Sequence, residues 1–242
     1  MEKERIEAEL EKIAKELENK SAEEVLQWAL GKYKEKIALA SSFGAEDVVL
    51  IDMMVKIDPQ ARIFTLDTGR LPQETYDVME KIKQKYGVRF EVYCPDAGAL
   101  EKMVAEHGPN LFYRSIDLRQ LCCKVRKIEP LNRALSKLSA WISGLRREQS
   151  ITRTQIKKVE LDEAHGAIIK VNPLADWSER QVWDYIRAKC VPYNALHDQN
   201  YPSMGCAPCT RAIKPGENIR AGRWWWEKPE QKECGLHPKK SK

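Results

Sequence analysis

The sequence predicts an α/β protein with a mostly parallel sheet and helices on both faces of that sheet. Short apolar runs alternate with helical patterns along residues 36–189, and runs without polar interruption are typical of strands buried on both faces. After Pro192 the regular pattern fades into a loop-rich C-terminal tail. A chain of 242 residues is also long enough to bury a full hydrophobic core.

Five strands are predicted, and a helix signal or a turn signal follows each of them. The predicted strands cover residues 36–40, 62–67, 88–93, 140–143 and 166–171. The helices between them are marked by their N-terminal residues. Ser21 and Glu24 form a capping box that opens a helix ending near Gly31, Asp96 caps a helix after the third strand, and Ser178 caps one running through residue 189.

The chain is divided by these patterns into three parts. Residues 1–31 form an N-terminal helical segment, residues 32–204 an α/β domain, and residues 205–242 a loop and a tail. The first 20 residues are rich in Glu and Lys, with apolar residues at helical spacing, which predicts an amphipathic surface helix and no signal peptide. The N-terminal helices would suit either a dimer contact in a homo-oligomer or a lid.

The overall charge and hydropathy exclude several classes of protein. The formal charge of +5 is too small to indicate a nucleic-acid partner. No apolar run approaches the roughly 20 residues that a membrane-spanning helix needs. A cytoplasmic location is therefore expected, and in that reducing compartment seven cysteines favour metal binding or catalysis over structural disulfides.

The loop after the first strand has the composition of an anion-binding turn. Ser41, Ser42 and Gly44 lie between a strand and a helix, where hydroxyls, backbone N–H groups and a helix N-terminus meet. Neither the Walker pattern nor G-x-G-x-x-G is present, which argues against a P-loop NTPase and a nicotinamide enzyme. Arg146 and Arg147 follow another strand and could hold further negative charge.

Two cysteine pairs predict a metal centre. Cys122 is adjacent to Cys123, and Cys206 and Cys209 form a C-x-x-C turn stiffened by Pro208. Neighbouring side chains on a helix diverge by about 100°, which suits the spaced corners of an iron–sulfur cluster better than one small ion. Four thiolates would also suit structural zinc, and unligated thiols remain an alternative. Cys94 and Cys190 are interpreted as small core residues.

A last cysteine near the C-terminus is a candidate nucleophile. Cys234 is followed by His237 and preceded by Arg220 and Arg223, and cationic neighbours raise the thiolate fraction of a thiol. The run of three tryptophans at 224–226 is expected to pack the tail onto the body or onto a partner.

Taken together, the motifs resemble those of the assimilatory adenylyl-sulfate reductases, the iron–sulfur branch of the phosphoadenylyl-sulfate/adenylyl-sulfate reductase family. The resemblance runs from about residue 36 to residue 237. The motifs that carry it are Ser41-Ser42-Phe43-Gly44-Ala45-Glu46-Asp47, Leu66-Asp67-Thr68-Gly69-Arg70, Cys122-Cys123 with Lys127, Gly144-Leu145-Arg146-Arg147, Cys206-x-x-Cys209, Arg220-Ala221-Gly222-Arg223-Trp224 and Glu233-Cys234-Gly235-Leu236-His237. Lys232 departs from the small hydroxyl residue expected before Glu233.

The resemblance implies a fold, a cofactor and roles for individual residues. The implied fold is a Rossmann-like sheet similar to that of the adenine-nucleotide α-hydrolases. A [4Fe-4S] cluster would be held by the four cysteines of the two pairs, with Cys234 as the nucleophile. The basic residues expected around the sulfate are Lys127, Arg220, Arg223 and His237. The residues expected around the phosphosulfate and the adenosine are Ser41, Ser42, Phe43, Gly44, Leu66, Thr68, Gly69, Arg146 and Arg147.

The implied activity is that of an oxidoreductase acting on a sulfur group in sulfate assimilation and cysteine biosynthesis. Adenylyl sulfate would be reduced to sulfite and AMP through an S-sulfonated Cys234, with thioredoxin or a glutaredoxin-like protein as reductant. Three alternatives stay open at this point. They are reduction of 3′-phosphoadenylyl sulfate or of both nucleotides, a pyrophosphatase-loop enzyme that thiolates tRNA, and a zinc-bound interaction module.

Overall fold

The computed structural model describes residues 2–150 and 153–228 of the chain. In this part of the chain, six strands form one sheet. They are β1 (Ile37–Ala40), β2 (Arg62–Leu66), β3 (Phe90–Tyr93), β4 (Ala140–Ile142), β5 (Val159–Asp162) and β6 (Ile168–Val171). Eight α-helices of the same described residues surround the sheet. They are α1 (Glu2–Leu17), α2 (Ala22–Tyr33), α3 (Ala45–Ile57), α4 (Gln73–Tyr86), α5 (Ala97–His107), α6 (Ile116–Cys123), α7 (Glu129–Leu135) and α8 (Glu179–Ala188).

The strand order in the sheet is β3-β2-β1-β4-β6-β5. Neighbouring strands run parallel except β5 and β6, which are antiparallel. From β1 the chain first adds β2 and β3 on one side of the sheet and then crosses to β4 on the other side of β1. The strand order therefore reverses at β1. Ligands of open α/β sheets bind at such a switch point, outside the carboxyl ends of the strands.

Side chains of the central strands alternate between two hydrophobic cores. Ile37 and Leu39 of β1 pack into the larger core, which also contains residues of α2, α3 and α8. Ala38 of the same strand packs into a second core together with Leu131 and Leu135 of α7. Both faces of the sheet are therefore covered, which explains why these strands have no polar alternation and confirms the predicted fold class.

The predicted helix caps are present. Ser21 and Ser178 each form a capping box, and the Asp96 carboxylate accepts the N–H of Ala99 at 2.9 Å. Each cap satisfies backbone donors that the first turn of a helix leaves without intrahelical acceptors.

Two predictions about this part of the chain are wrong. Strand β5 was not predicted, because Glu160 and Asp162 make its four residues look polar. Cys94 and Cys190 are exposed instead of packed in the core. Cys94 directly follows β3 at the edge of the sheet, and Cys190 follows α8 in a turn with a φ of 51°.

A π-helical turn, Lys124–Ile128, separates α6 from α7. Pro130 has no amide hydrogen and stands in the first turn of α7, where its ring disturbs the preceding carbonyls. The N–H of Glu129 accordingly bonds the carbonyl of Lys124, five residues earlier. Such widened turns are frequent at functional sites, and this one directly follows Cys122 and Cys123.

None of the helices within 2–150 and 153–228 is both long enough and apolar enough to cross a membrane. The division of the chain at residues 31 and 204 stays a prediction.

Candidate functional site

A cavity of about 270 Å³ opens at the carboxyl ends of β1, β2 and β4, at the switch point of the sheet. Its wall contains the residues that directly follow these strands, among them Ser41, Thr68 and Ser143. The N-terminus of α3 also faces this cavity, through Gly44 and the first turn of the helix. A helix N-terminus carries partial positive charge, so this end of the cavity is suited to an anion.

The donors of Ser42 are already engaged by a carboxylate of the same loop. The backbone N–H and the hydroxyl of Ser42 donate to Asp47 Oδ2 at 2.6 and 2.8 Å. Asp47 is 7 % exposed, and burial raises its pKa to about 6 against the opposing effect of these hydrogen bonds. Asp47 also packs so closely on Gly144 that a Cβ there would lie 2.5 Å from its Oδ1. The loop is therefore held in shape by Asp47.

The two arginines after β4 lie in different places. Arg146 lines the cavity, where its Nε donates to Glu46 at 2.8 Å and its Nη1 to the carbonyl of Trp177 at 3.3 Å. Arg147 instead bonds Glu18 of the N-terminal segment and the carbonyl of Ile156. The side chain of Arg147 thus links the N-terminal segment to the loop at Ile156 and does not line the cavity.

Two more of the predicted binding residues do not line the cavity. The ring of Phe43 is fully buried in the larger core, 5.1 Å from the ring of Phe90 in an edge contact. Phe43 has a φ of 58°, which turns its side chain inward while Ser42 and Gly44 stay on the wall. Gly69 lies in a left-handed turn with a φ of 66°, beside the Arg126 guanidinium.

The remaining predicted residues of this site that the structure describes are brought together. The cavity wall includes Ser41, Ser42, Gly44, Leu66, Thr68, Lys127, Arg146, Arg220 and Arg223. Cys234 and His237 lie outside the described residues.

The four paired cysteines converge on a second, smaller cavity of about 10 Å³, here called the cysteine pocket. Each of the four is between 7 and 8 % exposed. Cys122 and Cys123 end α6, whereas Cys206 precedes a short 3₁₀ turn and Cys209 is its last residue. That turn is fixed to the loop after β2, because the N–H of Ala207 donates to the carbonyl of Arg70 at 2.8 Å.

Buried cations surround the cysteine pocket. Burial raises the pKa of Cys122, and Arg126 partly offsets this. Burial and the charge of Cys206 raise the pKa of Cys209 to about 12. Burial also acts to raise the pKa of Cys206, but Lys127 and a hydrogen bond with Thr68 bring it below its ordinary value. The pKa values of these thiols therefore depend on one another and on the positive charges of neighbouring basic side chains.

Residues 8–150 and 153–228 contain no group of three or more His, Cys, Asp or Glu side chains placed to hold a single metal ion. The chemistry of the pocket nevertheless fits an anionic, acceptor-rich group. Arg126 Nε and Trp224 Nε1 are buried donors without an acceptor in the described part of the chain. Buried donors of this kind are costly unless a group supplies acceptors, and the sulfurs of an iron–sulfur cluster would do so.

The start of the C-terminal segment is fastened beside this pocket. Arg119 makes two hydrogen bonds to Glu227, at 2.9 and 2.8 Å, and both side chains are almost fully buried. The guanidinium groups of Arg119 and Arg223 lie over the ring of Trp224, 4.9 and 4.6 Å from its centre. Trp224 itself is 1 % exposed, so this part of the tryptophan run packs onto the body as expected.

One shared wall separates the cavity from the cysteine pocket. Lys127, Arg223 and Trp224 line both. Thr68 reaches across from the cavity side, with its hydroxyl 3.2 Å from the sulfur of Cys206. An anion at this end of the cavity would therefore lie between two basic side chains and next to the cysteines.

Several residues of the site were missed in the sequence. Arg119 stands four positions before Cys123, a spacing that places both on one side of a helix. Glu46 and Asp47 belong to the same loop motif, but their partners differ: Asp47 accepts from Ser42 within the loop, whereas Glu46 accepts from the distant Arg146. No local sequence pattern indicates that His197 belongs to the site. It lines the cavity, contacts the ring of Trp183 at 5.0 Å, and has a pKa lowered by burial.

Residues 36–212 match the family described as "Phosphoadenosine phosphosulfate reductase domain". The chain belongs to this family. The membership predicted from the motifs is thereby confirmed. The chain is similar to the adenosine 5′-phosphosulfate reductase of Allochromatium vinosum, with 56 % identity over 84 % of this chain and 79 % of that protein. It is also similar to the reductase of the same name from Burkholderia cepacia, with 51 % identity over 86 % and 83 %.

The fold is shared with a solved member of the family. The crystal structure of phosphoadenylyl-sulfate reductase from Candida auris, in its phosphate complex, has a TM-score of 0.72 and 29 % identity to this chain. The likeness covers 84 % of this chain and 96 % of that structure.

Proposed function

We propose that the protein reduces adenylyl sulfate to sulfite and AMP, with reduced thioredoxin as the electron donor. The observation that carries this proposal is the shared wall. Lys127 and Arg223 face both the cavity at the strand ends and the pocket of four cysteines. A nucleotide in the cavity could thus present its sulfate to a cationic surface.

The substrate would lie along the wall of the cavity. Its adenosine would rest near Leu66 and Thr68, and its phosphosulfate near the loop of Ser41 and Ser42 at the N-terminus of α3. Since Asp47 now accepts both donors of Ser42, the phosphate would be bound chiefly by the helix terminus and by basic side chains. The sulfate would lie between Lys127, Arg220 and Arg223.

The cysteine pocket would hold a [4Fe-4S] cluster on Cys122, Cys123, Cys206 and Cys209. Its fit rests on four buried thiols that line one pocket and on the two buried donors that lack acceptors there. When bound, the cluster would supply a compact negative centre that stabilises this part of the fold and orients the cations of the shared wall. Measurement of iron, acid-labile sulfide and zinc in the purified protein tests this assignment.

The first chemical step belongs to Cys234. Its thiolate would attack the sulfur of adenylyl sulfate, so that an S–S bond forms while the S–O bond to the phosphate breaks. AMP leaves with the electron pair of that bond. Both reactants are anions, so Lys127, Arg220, Arg223 and His237 would offset their repulsion and stabilise the spread negative charge of the transition state.

The second step needs a thiol protein. One thiolate of thioredoxin would attack the sulfur of S-sulfonated Cys234 and expel sulfite, which keeps the bonding electron pair. The second thioredoxin thiolate would then break the mixed disulfide and return Cys234 to its reduced form. The two thiols supply both electrons, and a cytoplasmic location would keep them reduced.

We infer adenylyl sulfate as the substrate from the names of the relatives. Those with 51–56 % identity are named for adenosine 5′-phosphosulfate. The Candida auris enzyme, with 29 % identity, is named for the 3′-phosphorylated nucleotide. The test is turnover of each nucleotide with reduced thioredoxin and no ATP. Equal amounts of AMP and sulfite from adenylyl sulfate are expected, and none from Cys234→Ser. Faster turnover of the 3′-phosphorylated nucleotide would contradict the preference.

A further inference from the structure

We propose that an exposed aromatic patch formed by Tyr113, Trp225 and Trp226 is the docking surface for the reduced thioredoxin that releases sulfite. This inference rests on the proposed function. Tyr113 is 46 % exposed and Trp225 is 40 % exposed. Of the three large hydrophobic side chains that are exposed within 8–150 and 153–228, these two are neighbours, and Val92 lies elsewhere. Such clustering is typical of interaction sites.

The aromatic patch is held rigid from below. The ring of Trp226 lies 4.6 Å from Tyr113 and 4.7 Å from Trp225. The Tyr113 hydroxyl donates to the carbonyl of Pro208 at 2.9 Å, within the C-x-x-C turn. A partner would therefore meet side chains that lose little conformational freedom on binding. Tryptophan and tyrosine are also the residues that most often dominate the binding energy of interfaces.

The position of the patch along the chain connects it to the reacting sulfur. Cys234 is eight residues beyond Trp226, and a fully extended chain of that length spans at most about 29 Å. A typical protein interface covers about 800 Å² on each partner, which is roughly 30 Å across. A protein whose thiol reaches Cys234 therefore meets the molecule within about 29 Å of Trp226, a distance comparable to the width of one interface.

The chemistry of the C-terminal segment argues against that segment as the occupant. Residues 229–242 contain no aromatic side chain, and Leu236 is their single large aliphatic residue beside four lysines and two glutamates. Such a segment can bury little of an aromatic surface. A folded partner with an apolar contact face around its reactive thiol suits the patch better.

The test separates formation of the S-sulfonate from its release. The protein is first reacted with adenylyl sulfate without thiols, freed of excess nucleotide, and then mixed with reduced thioredoxin or with dithiothreitol. For Trp225→Ala we expect unchanged formation of the adduct, sulfite release by thioredoxin slowed about tenfold or more, and unchanged release by dithiothreitol. Val92→Ala on β3 serves as the matched exposed control.

Three outcomes would overturn the proposal. Unchanged release of sulfite by thioredoxin in Trp225→Ala would show that the patch does not receive this partner. Equal slowing with thioredoxin and dithiothreitol would show that the patch only positions the tail. Loss of an oligomer in Trp225→Ala, seen by light scattering without a change in release, would assign the patch to a second copy of the chain. Failure of the unmodified protein to form any adduct would instead remove the proposed function itself.

Discussion

The hydroxyl of Thr68 lies 3.2 Å from the sulfur of Cys206 and connects the cavity at the strand ends to the cysteine pocket. Both residues are buried, and they lie 138 positions apart in the chain. The contact is set by the loop after β2, whose Arg70 carbonyl also accepts the N–H of Ala207. The loop that follows one strand thus fixes the position of the C-x-x-C turn.

Removal of this hydroxyl should weaken the cysteine pocket. Thr68→Val deletes a partner of Cys206 while keeping a side chain of similar shape, and a hydrogen bond of this kind contributes about 1 kcal/mol. We expect iron to be lost to a chelator about fivefold faster, followed by visible absorption. Thr65→Val alters another buried threonine of the same cavity and should leave the rate unchanged. Equal rates in both variants would contradict the assigned role.

Lys127 should increase the rate at which the S-sulfonate forms, and it should not be needed for assembly of the cysteine pocket. It lines the wall between cavity and pocket, where its charge would stabilise the transition state. Lys127→Ala should slow single-turnover formation of the S-sulfonate by about 10²–10³-fold with unchanged iron content. Lys124→Ala, an exposed lysine three residues earlier, is the matched control. A rate for Lys127→Ala equal to that of the control would rule out this function.

The Arg119–Glu227 pair should stabilise the junction between the body and the C-terminal segment. The exposed fractions of the two side chains are 1 and 3 %, and breaking a buried pair leaves a charge without compensation. Glu227→Ala should lower the free energy of unfolding by about 3 kcal/mol in urea denaturation. Glu217→Ala breaks the more exposed pair with Arg211 and should cost clearly less, because solvent screens such a pair. Similar losses in both variants would show that burial of the first pair adds nothing.

Asp47 should make stability depend on pH. Burial raises its pKa in the folded protein to about 6, above its ordinary value of 3.8, so the folded state holds this proton more tightly than the unfolded state. The stability gained from that proton is complete below about pH 4 and is lost as the pH rises through about 6. At pH 7, Asp47→Asn should therefore be more stable than the unmodified protein by up to about 3 kcal/mol, since one pKa unit corresponds to about 1.4 kcal/mol.

The check is urea denaturation of both proteins between pH 4 and pH 8. The free energies of unfolding of the two proteins should be equal near pH 4 and should diverge as the pH rises to about 6. Asp77→Asn, at an exposed position of α4, should follow the unmodified protein throughout. Parallel curves for Asp47→Asn would mean that its carboxyl titrates alike in both states.

Much of the fold could be predicted because local patterns and tertiary burial agree. The apolar runs of β1 and β4 are buried on both faces, and their ends define the cavity. Strand β5 could not be found in this way, since its stability comes from pairing with β6 and not from an apolar pattern of its own. The exposure of Cys94 and Cys190 could not be predicted either, because it depends on where β3 and α8 end.

The candidate site was predictable in its residue types and less so in its pairings. The sequence indicates that Ser42, Arg146 and Arg147 could bind an anion, yet only the folded chain brings Asp47, Glu46 and Glu18 against them. Glu46 and Glu18 reach Arg146 and Arg147 from distant parts of the chain, so no local spacing indicates these two pairs. Arg119 is the exception, because its helical spacing from Cys123 could have been used.

The central claim is that Cys234 attacks the sulfur of adenylyl sulfate. Its most direct test is peptide mass spectrometry of the protein after mixing with adenylyl sulfate in the absence of any thiol reductant. The account predicts one sulfonate group on the peptide that contains Cys234, formed together with an equal amount of AMP, and none on Cys94 or Cys190. Release of AMP without a sulfonate on Cys234, or a sulfonate on another cysteine, would contradict it.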